Sequence, residues 1–247
     1  MQKIYNLDCN DLSLYNDCEQ IIHLEEFFSA SHYNGCGEEK FIIEEGTIPI
    51  IVSAPHAVNH FRNGYIKSAD VLTGGIARFL HCKTGCHIIY SSKYSKSDPN
   101  YDLPDSNPYQ TSLLEYIIKH DIVFLLDLHG AAKTREYALE IGFSSSQPSF
   151  IQNTVKDNNP IRQNDYISII KSVFHSFLSN SIIAEKNIWK QNTVTKYISY
   201  NARIACLQLE INRKYREPEK VYDFMSFVYG LLTAINECKK IAENKSV

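Results

Sequence analysis

The sequence of 247 residues has no excess of basic residues, since 25 Lys and Arg stand against 28 Asp and Glu and the formal net charge is −3. Proteins that bind nucleic acids usually carry a basic face, which this balance does not favour. No apolar run approaches the ~18 residues that a membrane-spanning helix needs. We therefore expect neither nucleic acid nor a membrane as a partner.

The beginning of the sequence lacks the apolar core of a secretory signal, because MQKIYNLDCNDLSLYND places acidic residues there. The seven cysteines form no Cys-x-x-C pair, and the two nearest, Cys82 and Cys86, are separated by three residues. There is neither a Walker A loop nor a Gly-x-Gly-x-x-Gly sequence, which argues against a nucleotide-binding enzyme. We expect a cytoplasmic protein with reduced cysteines.

From residue 41 onward, apolar strands alternate with amphipathic helices. Continuous apolar runs such as IPIIVSA and IVFLLDL are typical of strands that are buried on both faces of a sheet. The pattern predicts an α/β fold, with one three-layer domain, a mostly parallel mixed sheet and helices on both faces. Strands are predicted at residues 41–44, 48–54, 87–91, 122–128, 138–143 and 203–211. Helices are predicted at residues 69–82, 108–119, 166–178 and 220–243.

Residues 1–40 show a weaker pattern, and we interpret them as a loosely organised N-terminal segment of a single domain that spans residues 1–247. Within this segment, a short helix is predicted at residues 18–30. Two long stretches, residues 92–108 and 144–165, are polar and rich in Pro, Asn, Asp and Ser. Long loops in a compact domain are usually functional or mobile, and neither stretch has the features of a domain linker.

Polar residues at three strand ends form the candidate site, because ligands of open parallel sheets bind at the carboxyl ends of the strands. His56 directly follows IPIIVSA in APHAVNH. Asp127 and His129 lie at the end of the next long apolar run, in LLDLHGAA. Glu210 lies near the end of a third apolar run, in LQLEINRKYRE. Two histidines and a glutamate in these places predict a hydrolytic zinc site.

Each of these signals also has a structural interpretation. His56 could be a solvated loop histidine, and Asp127 and His129 could be internally paired groups at a strand end. Glu210 could form a buried ion pair with Arg213. In the functional interpretation, Asp127 orients the ring of His129, Glu210 is the general base for water, and Arg213 binds a substrate carboxylate by a bidentate fork.

Zinc in a hydrolase needs about three protein ligands and a water, so two histidines leave one protein ligand to be found. Asp70 is at the predicted start of the helix that follows the His56 loop. Asp98 and Asp102 lie in the polar stretch at residues 92–108, and Asn59 is three residues from His56, although an amide is a poor zinc ligand. The residues alone leave these alternatives open.

The order of these motifs resembles that of the N-formylglutamate amidohydrolases, which are related in fold to zinc carboxypeptidases. The resemblance covers roughly residues 48–215. Its motifs are IPIIVSAPHAVNH, SSKYSKSDPNYD, LLDLHGA and LQLEINRKYRE. It implies a phosphorylase/hydrolase-like α/β core and a zinc-dependent amidohydrolase that holds one zinc ion per chain.

The resemblance also assigns roles to residues. It implies that His56 and His129 are metal ligands and that Glu210 is the catalytic carboxylate. Arg213 falls on a carboxylate-binding position and Asn212 on the adjacent position of the same motif, where we expect substrate binding. Zinc carboxypeptidases carry His-x-x-Glu at the first site.

Since Asn59 stands where that glutamate would be, Asp70 is the expected third ligand. Lys93 and Tyr101 stand where the family has arginines, and a lysine loses bidentate recognition. We expect Lys93 to bind substrate nonetheless and Arg135 to supply a guanidinium.

Three functions are compatible with these expectations. The first is hydrolysis of an amide bond in a small substrate with a carboxylate, such as an N-acyl amino acid or a glutamyl-type compound. The second is a carboxypeptidase-like activity on peptides or a cell-wall fragment. The third is a non-catalytic protein of the same fold that binds a carboxylate ligand or a partner.

Overall fold

The computed structural model describes residues 12–103, 106–144, 163–188 and 192–243. Most of the predicted loop at residues 144–165 lies outside this part of the chain. None of the described helices is long and apolar enough to cross a membrane.

The helices are α1 (Leu12–Tyr33), α2 (Thr73–Thr84), α3 (Pro108–Lys119), α4 (Gln163–Phe177), α5 (Val194–Ala202) and α6 (Val221–Glu243). The strands are β1 (Phe41–Glu44), β2 (Ile48–Ala54), β3 (His60–Arg62), β4 (Tyr65–Lys67), β5 (Cys86–Ser91), β6 (Phe124–Ala131), β7 (Leu139–Phe143), β8 (Ile183–Asn187) and β9 (Ala205–Asn212).

The main sheet has the strand order β1-β5-β2-β6-β9-β7-β8. Its four central strands, β5, β2, β6 and β9, are parallel to one another. Strands β1 and β7 join this central set in the antiparallel direction, and β8 pairs in parallel with β7. The predicted α/β class with a mostly parallel mixed sheet is therefore confirmed.

Successive residues of the central strands point to opposite faces of the sheet, and both faces are covered. Val52 and Leu126 belong to the core that α1, α2, α4 and α6 cover. Ile51 and Leu125, one residue earlier in each strand, belong to the core beneath α3 and α5. Burial on both faces explains why these strands are continuous apolar runs in the sequence.

The strand order reverses between β2 and β6. After β2 the chain forms β5 on one side of it, and later returns to form β6 on the other side. A crevice at the carboxyl ends of the strands is expected at such a reversal, and ligands of open α/β sheets bind there. The fold thus brings the loop after β2 and the end of β6 to the same crevice.

Several elements differ from their predicted bounds. Strand β6 continues to Ala131 instead of ending at residue 128, because it pairs with β9 as far as Ala131 opposite Asn212. Helix α2 begins at Thr73 instead of residue 69, since Leu72 has a left-handed backbone with φ of 72°. The elements β3, β4, β8 and α5 were not predicted.

The N-terminal segment contains more regular structure than predicted, because α1 extends over Leu12–Tyr33, with non-helical dihedrals at Ala30–His32. Its Glu25 is buried and reaches the start of α2, where its two carboxylate oxygens accept hydrogen bonds from Leu72 N at 2.6 Å and Gly75 N at 2.7 Å. These bonds satisfy backbone donors that have no partner within the helix. A Cβ at position 75 would lie 2.9 Å from Glu25 Oε2, so glycine permits this close contact.

The pH dependence of stability is expected to depend on Glu25. Burial raises the pKa of Glu25 from 4.5 to about 7, although its two backbone hydrogen bonds act in the opposite direction. An unfolded chain ionises this carboxyl near pH 4.5, whereas the folded chain keeps the proton until about pH 7. The free energy of unfolding therefore falls through this window as pH rises, by about 1.4 kcal/mol per pH unit.

A Glu25→Gln variant lacks this titration. Denaturant unfolding from pH 4.5 to 8 should show the variant gaining stability relative to the wild type up to about pH 7, with a constant difference above it. Glu26→Gln, at an exposed neighbouring position on α1, is the control and should show no such slope. A pH-independent difference for Glu25→Gln would contradict the prediction.

Candidate metal centre and active site

Three buried side chains converge at the crevice between β2 and β6. His56 follows β2, Asp70 lies in the loop before α2, and His129 lies within β6. Candidate ligand atoms from all three lie within 4.8 Å of one another. Asp70 Oδ2 is 3.4 Å from His56 Nδ1 and 3.3 Å from His129 Nδ1. Two imidazole nitrogens and a carboxylate oxygen are a donor set that suits zinc.

The ring of His56 is oriented by Asp98 at the nitrogen that faces away from this cluster. His56 Nε2 donates to Asp98 Oδ1 at 2.8 Å, and because a carboxylate only accepts, this contact places the proton on Nε2. Within the described residues, Nδ1 is buried without a hydrogen-bond partner. A buried imidazole nitrogen with an unused lone pair beside Asp70 is what a metal ligand requires.

His129 has the same arrangement, with Asp127 in the orienting role. Its Nε2 lies 3.1 Å from Asp127 Oδ2 and 2.8 Å from the amide nitrogen of Asn100. A metal at Nδ1 requires the proton on Nε2, which selects the hydrogen bond to Asp127. The predicted orientation of His129 by Asp127 agrees with this geometry.

The surroundings of His129 and Asp70, which are both buried, favour the ionised form of each side chain. Burial by itself lowers the pKa of His129, but the charge of Asp127 and the hydrogen bonds to Asp127 and Asp70 outweigh it and raise this pKa to about 10. Burial by itself raises the pKa of Asp70, but the neighbouring imidazoles of His129 and His56 hold it well below its usual range. Lys67 contributes to the same effect, because its Nζ is 2.6 Å from Asp70 Oδ1. Asp70 is therefore a carboxylate at neutral pH.

Glu210 is placed beside the cluster by strand register. It lies directly opposite His129 where β9 pairs with β6. Its side chain is half-buried, and Oε1 accepts a hydrogen bond from Gln208 Nε2 at 2.8 Å. Both residues, together with His56, Asp70 and His129, line one cavity of about 460 Å³. A carboxylate in this position can exchange protons with a molecule bound at the cluster.

The cations of this cavity come from an element that was not predicted, the hairpin of β3 and β4. Arg62 and Lys67 both line the cavity. Arg62 Nε is 3.2 Å from Asp98 Oδ2, and the guanidinium lies 5.3 Å from the centre of the Tyr101 ring. The arginine fork can bind a carboxylate bidentately, which gives the cavity a site for an acidic group.

A buried arginine, Arg216, joins the backbones that carry the site. It donates to Val71 O next to Asp70, to Ala131 O at the end of β6 and to Ile211 O at the end of β9. A Cβ at position 130 would lie 2.5 Å from Arg216 Nη2, so only glycine leaves room for this side chain. Sequence reasoning considered Arg213 and missed Arg216.

Of the four residues considered for the third ligand, the structure brings Asp70 to the two histidines. Asp98 orients His56 instead, and its pKa is lowered because the hydrogen bonds from His56 and Asn100 N and the charge of Arg62 outweigh the effect of burial. Asp102 accepts from Ser97 Oγ and Asp98 N within its own loop. Asn59 connects the end of α1 to the loop before α2, since it donates to His32 O and accepts from Ala69 N.

The residues expected to bind substrate lie elsewhere. Lys93, Arg135 and Arg213 are exposed, and none of them is among the described residues that line the cavity. Asn212 is buried and uses its side chain on backbone groups, since it donates to Arg135 O and Tyr137 O and accepts from Lys214 N. Their substrate-binding roles stay predictions, whereas Arg62 and Lys67 hold the positions that such roles need.

Comparisons with known proteins bear on the fold. The sequence matches no family model and no curated protein. Its structure is similar to that of N-formylglutamate amidohydrolase from Ralstonia eutropha JMP134, with a TM-score of 0.57, 13% sequence identity and coverage of 83% of this chain and 98% of that chain. A gene product from Agrobacterium tumefaciens gives a TM-score of 0.51 at 13% identity, with coverage of 81% and 96%. The resemblance found in the sequence is thus confirmed as a similarity of fold.

Proposed function

We propose that this protein is a zinc-dependent hydrolase that cleaves an amide bond in an N-acyl amino acid or glutamyl-type substrate with a free carboxylate. The observation that carries the proposal is that His56, Asp70 and His129 share one cavity with Glu210. The similarity of fold to an N-formylglutamate amidohydrolase supports it.

The residues present fit a zinc ion. Each histidine has one nitrogen directed at Asp70 and the other oriented by a carboxylate, which is the usual support of a histidine ligand. His56, His129 and Asp70 would hold the metal. When bound, zinc lowers the pKa of water to about 7 and polarises a carbonyl.

The chain's own residues supply the rest of the chemistry. Glu210 takes the proton of the attacking water and delivers it to the nitrogen of the leaving amine. Arg62 holds the substrate carboxylate through its fork, while Asp98 and Tyr101 hold Arg62. Asp98 contacts both Arg62 and His56, so it couples the carboxylate pocket to the metal centre.

The direct test is amine release from N-formyl and N-acetyl derivatives of acidic and neutral amino acids by the zinc-loaded protein. We expect turnover of derivatives that carry a free carboxylate and loss of turnover when a chelator removes the metal. The absence of turnover of every derivative by a folded, zinc-loaded protein would overturn the proposal.

The assignment of Arg62 gives a separate prediction. Arg62→Lys keeps the charge beside Asp98 but loses the bidentate fork, so KM for an N-acyl amino acid should rise roughly ten-fold while kcat changes little. Lys93→Gln is the control, because Lys93 is exposed and outside the described lining of the cavity, and it should leave KM unchanged. A rise in KM for Lys93→Gln but not for Arg62→Lys would show that Lys93, the residue expected from the sequence, binds the substrate carboxylate.

A further inference from the structure

A second cavity adjoins the metal cavity. Its volume is about 280 Å³, and it lies between Gln110 of α3 and residues of α5 that include Lys196 and Tyr200. Asn192 and Thr193 line both cavities, so the two adjoin at the start of α5. The second cavity plays no part in the proposed reaction of a small N-acyl amino acid.

The wall between the cavities is tied to the metal centre. The Asn100 side chain contacts His129 Nε2 at 2.8 Å through its nitrogen and accepts from Val194 N at 2.7 Å through its oxygen. Thr193 caps the same helix, since its hydroxyl accepts from Lys196 N at 3.1 Å. Asn100 N also donates to Asp98 Oδ1 at 2.9 Å, so the start of α5 is linked through Asn100 to the residue that orients His56.

Each cavity is lined by a glutamine whose carbonyl oxygen accepts no hydrogen bond from the described part of the chain. Gln110 is buried and donates from Nε2 to Pro99 O, while Gln208 is buried and donates from Nε2 to Glu210 Oε1. These bonds fix which end of each amide is the oxygen. Within the described residues, Oε1 of Gln110 and Oε1 of Gln208 are buried without a hydrogen-bond partner. A buried acceptor without a donor is costly, and an amide N–H is the donor that matches it.

The part of the second cavity formed by α5 offers a surface on which a side chain of a ligand can pack. Tyr200 lines it although 62% of this residue is exposed, which leaves an aromatic ring available for packing against a ligand. Lys196 adds a cation at the same wall. A formyl or acetyl group carries neither an amide N–H nor a side chain on its acyl side, whereas the next unit of an amide-linked chain has both.

We infer that the substrate is peptide-like on its acyl side and extends from the metal cavity into the second cavity. This inference rests on the proposed function. The terminal carboxylate lies at Arg62, the amide bond to be cleaved lies at the metal centre beside Glu210, and the preceding unit of the chain lies along α5. The amide N–H of that unit donates to Gln110 Oε1, and its side chain packs against Tyr200.

The experiment compares N-acetylglutamate with N-acetyl-phenylalanyl-glutamate as substrates of the zinc-loaded protein. We expect kcat/KM to be at least about ten-fold higher for the longer compound, the effect of one further hydrogen bond and one packed ring. Tyr200→Ala should remove most of that advantage and leave kcat/KM for N-acetylglutamate unchanged. Tyr222→Ala, at another exposed tyrosine that lines neither cavity, is the control for the loss of a surface ring.

The outcomes separate this inference from the proposed function. Equal kcat/KM for the two compounds, or an equal effect of Tyr200→Ala on both, would overturn the extended substrate while leaving the hydrolase in place. Turnover of neither compound would instead remove the proposed function. Binding of both compounds to a Glu210→Gln variant, measured by calorimetry, gives a second readout, and the extended substrate predicts tighter binding of the longer compound.

Discussion

The Glu210→Gln variant is expected to lose about 10²–10⁴-fold in kcat, which is the usual contribution of a general base. The substitution keeps the shape of the side chain and its contact with Gln208 but removes the group that accepts a proton. Since Glu210 is half-buried at the cavity wall and is not a candidate metal ligand, the fold and the metal content should be preserved. The measurement is steady-state turnover of an N-acyl amino acid, with zinc content determined on the same samples.

Strand β7 offers a matched control for this variant. Glu140 lies opposite Glu210 in the pairing of β7 with β9, and it is 3.5 Å from Lys186 Nζ instead of lining the cavity. Glu140→Gln removes a carboxylate from the neighbouring strand and should keep near-normal turnover. Near-normal turnover in Glu210→Gln itself would exclude this residue as the base, and an equal loss in both variants would indicate a general effect on the sheet.

The second large effect that we expect is the loss of bound zinc when a metal ligand is replaced. Protein purified without a chelator should contain about one zinc ion per chain, and both His129→Ala and Asp70→Asn should lose it. Removal of a group that only orients a metal ligand already costs roughly 10–100-fold in metal affinity, and removal of a ligand itself should cost more. Asp70→Asn is the milder variant, because it keeps the size of the side chain. Circular dichroism on the same samples separates metal loss from unfolding.

His175→Ala provides the control for a lost histidine, since His175 is exposed on α4 and should not affect zinc content. Full zinc content in Asp70→Asn and His129→Ala would show that the metal binds elsewhere. A wild-type protein that takes up no zinc even when zinc is offered would favour the non-catalytic alternative. In that case binding of a carboxylate ligand should be unaffected by a chelator.

The sequence was sufficient to predict the central strands and the residues at their carboxyl ends. IPIIVSA and IVFLLDL are buried on both faces, so their apolar runs are continuous and easy to recognise. The parallel arrangement then places His56, His129 and Glu210 at one edge, whatever the details of the loops. Asp70 could be proposed only as one of several carboxylates, because its position depends on the turn at Leu72.

The cationic part of the site was not predicted, and the reason is local. The hairpin of β3 and β4 has three residues in each strand and no apolar run that would reveal it. Its one signal was Asn63-Gly64, which favours a two-residue turn between strands, and both residues have positive φ. That signal would have placed Arg62 beside a strand end. Lys93 was expected from the order of the motifs, Arg213 from its place three residues after Glu210 and Arg135 as a substitute guanidinium. None of these signals carries information on which way a side chain points.

The long-range contacts of Arg216 could not have been derived from spacing. Its partners are carbonyl groups at positions 71, 131 and 211, and backbone groups leave no residue-type signal in a sequence. Gly130 gave a faint indication, because a glycine within a buried strand often marks the close approach of another group.

A chain that ended just after Asn212 would contain every side chain of the metal centre and the general base, yet it would lack the single guanidinium that ties their three backbones together. During synthesis from the N-terminus, the residues of the metal centre and Glu210 are therefore made before Arg216. Before Arg216 has been synthesised, the loop of Asp70 and the ends of β6 and β9 lack these three hydrogen bonds. The contact between residues 71 and 216 spans 145 positions of the chain, so this corner of the site can be completed only after residue 216 has been synthesised.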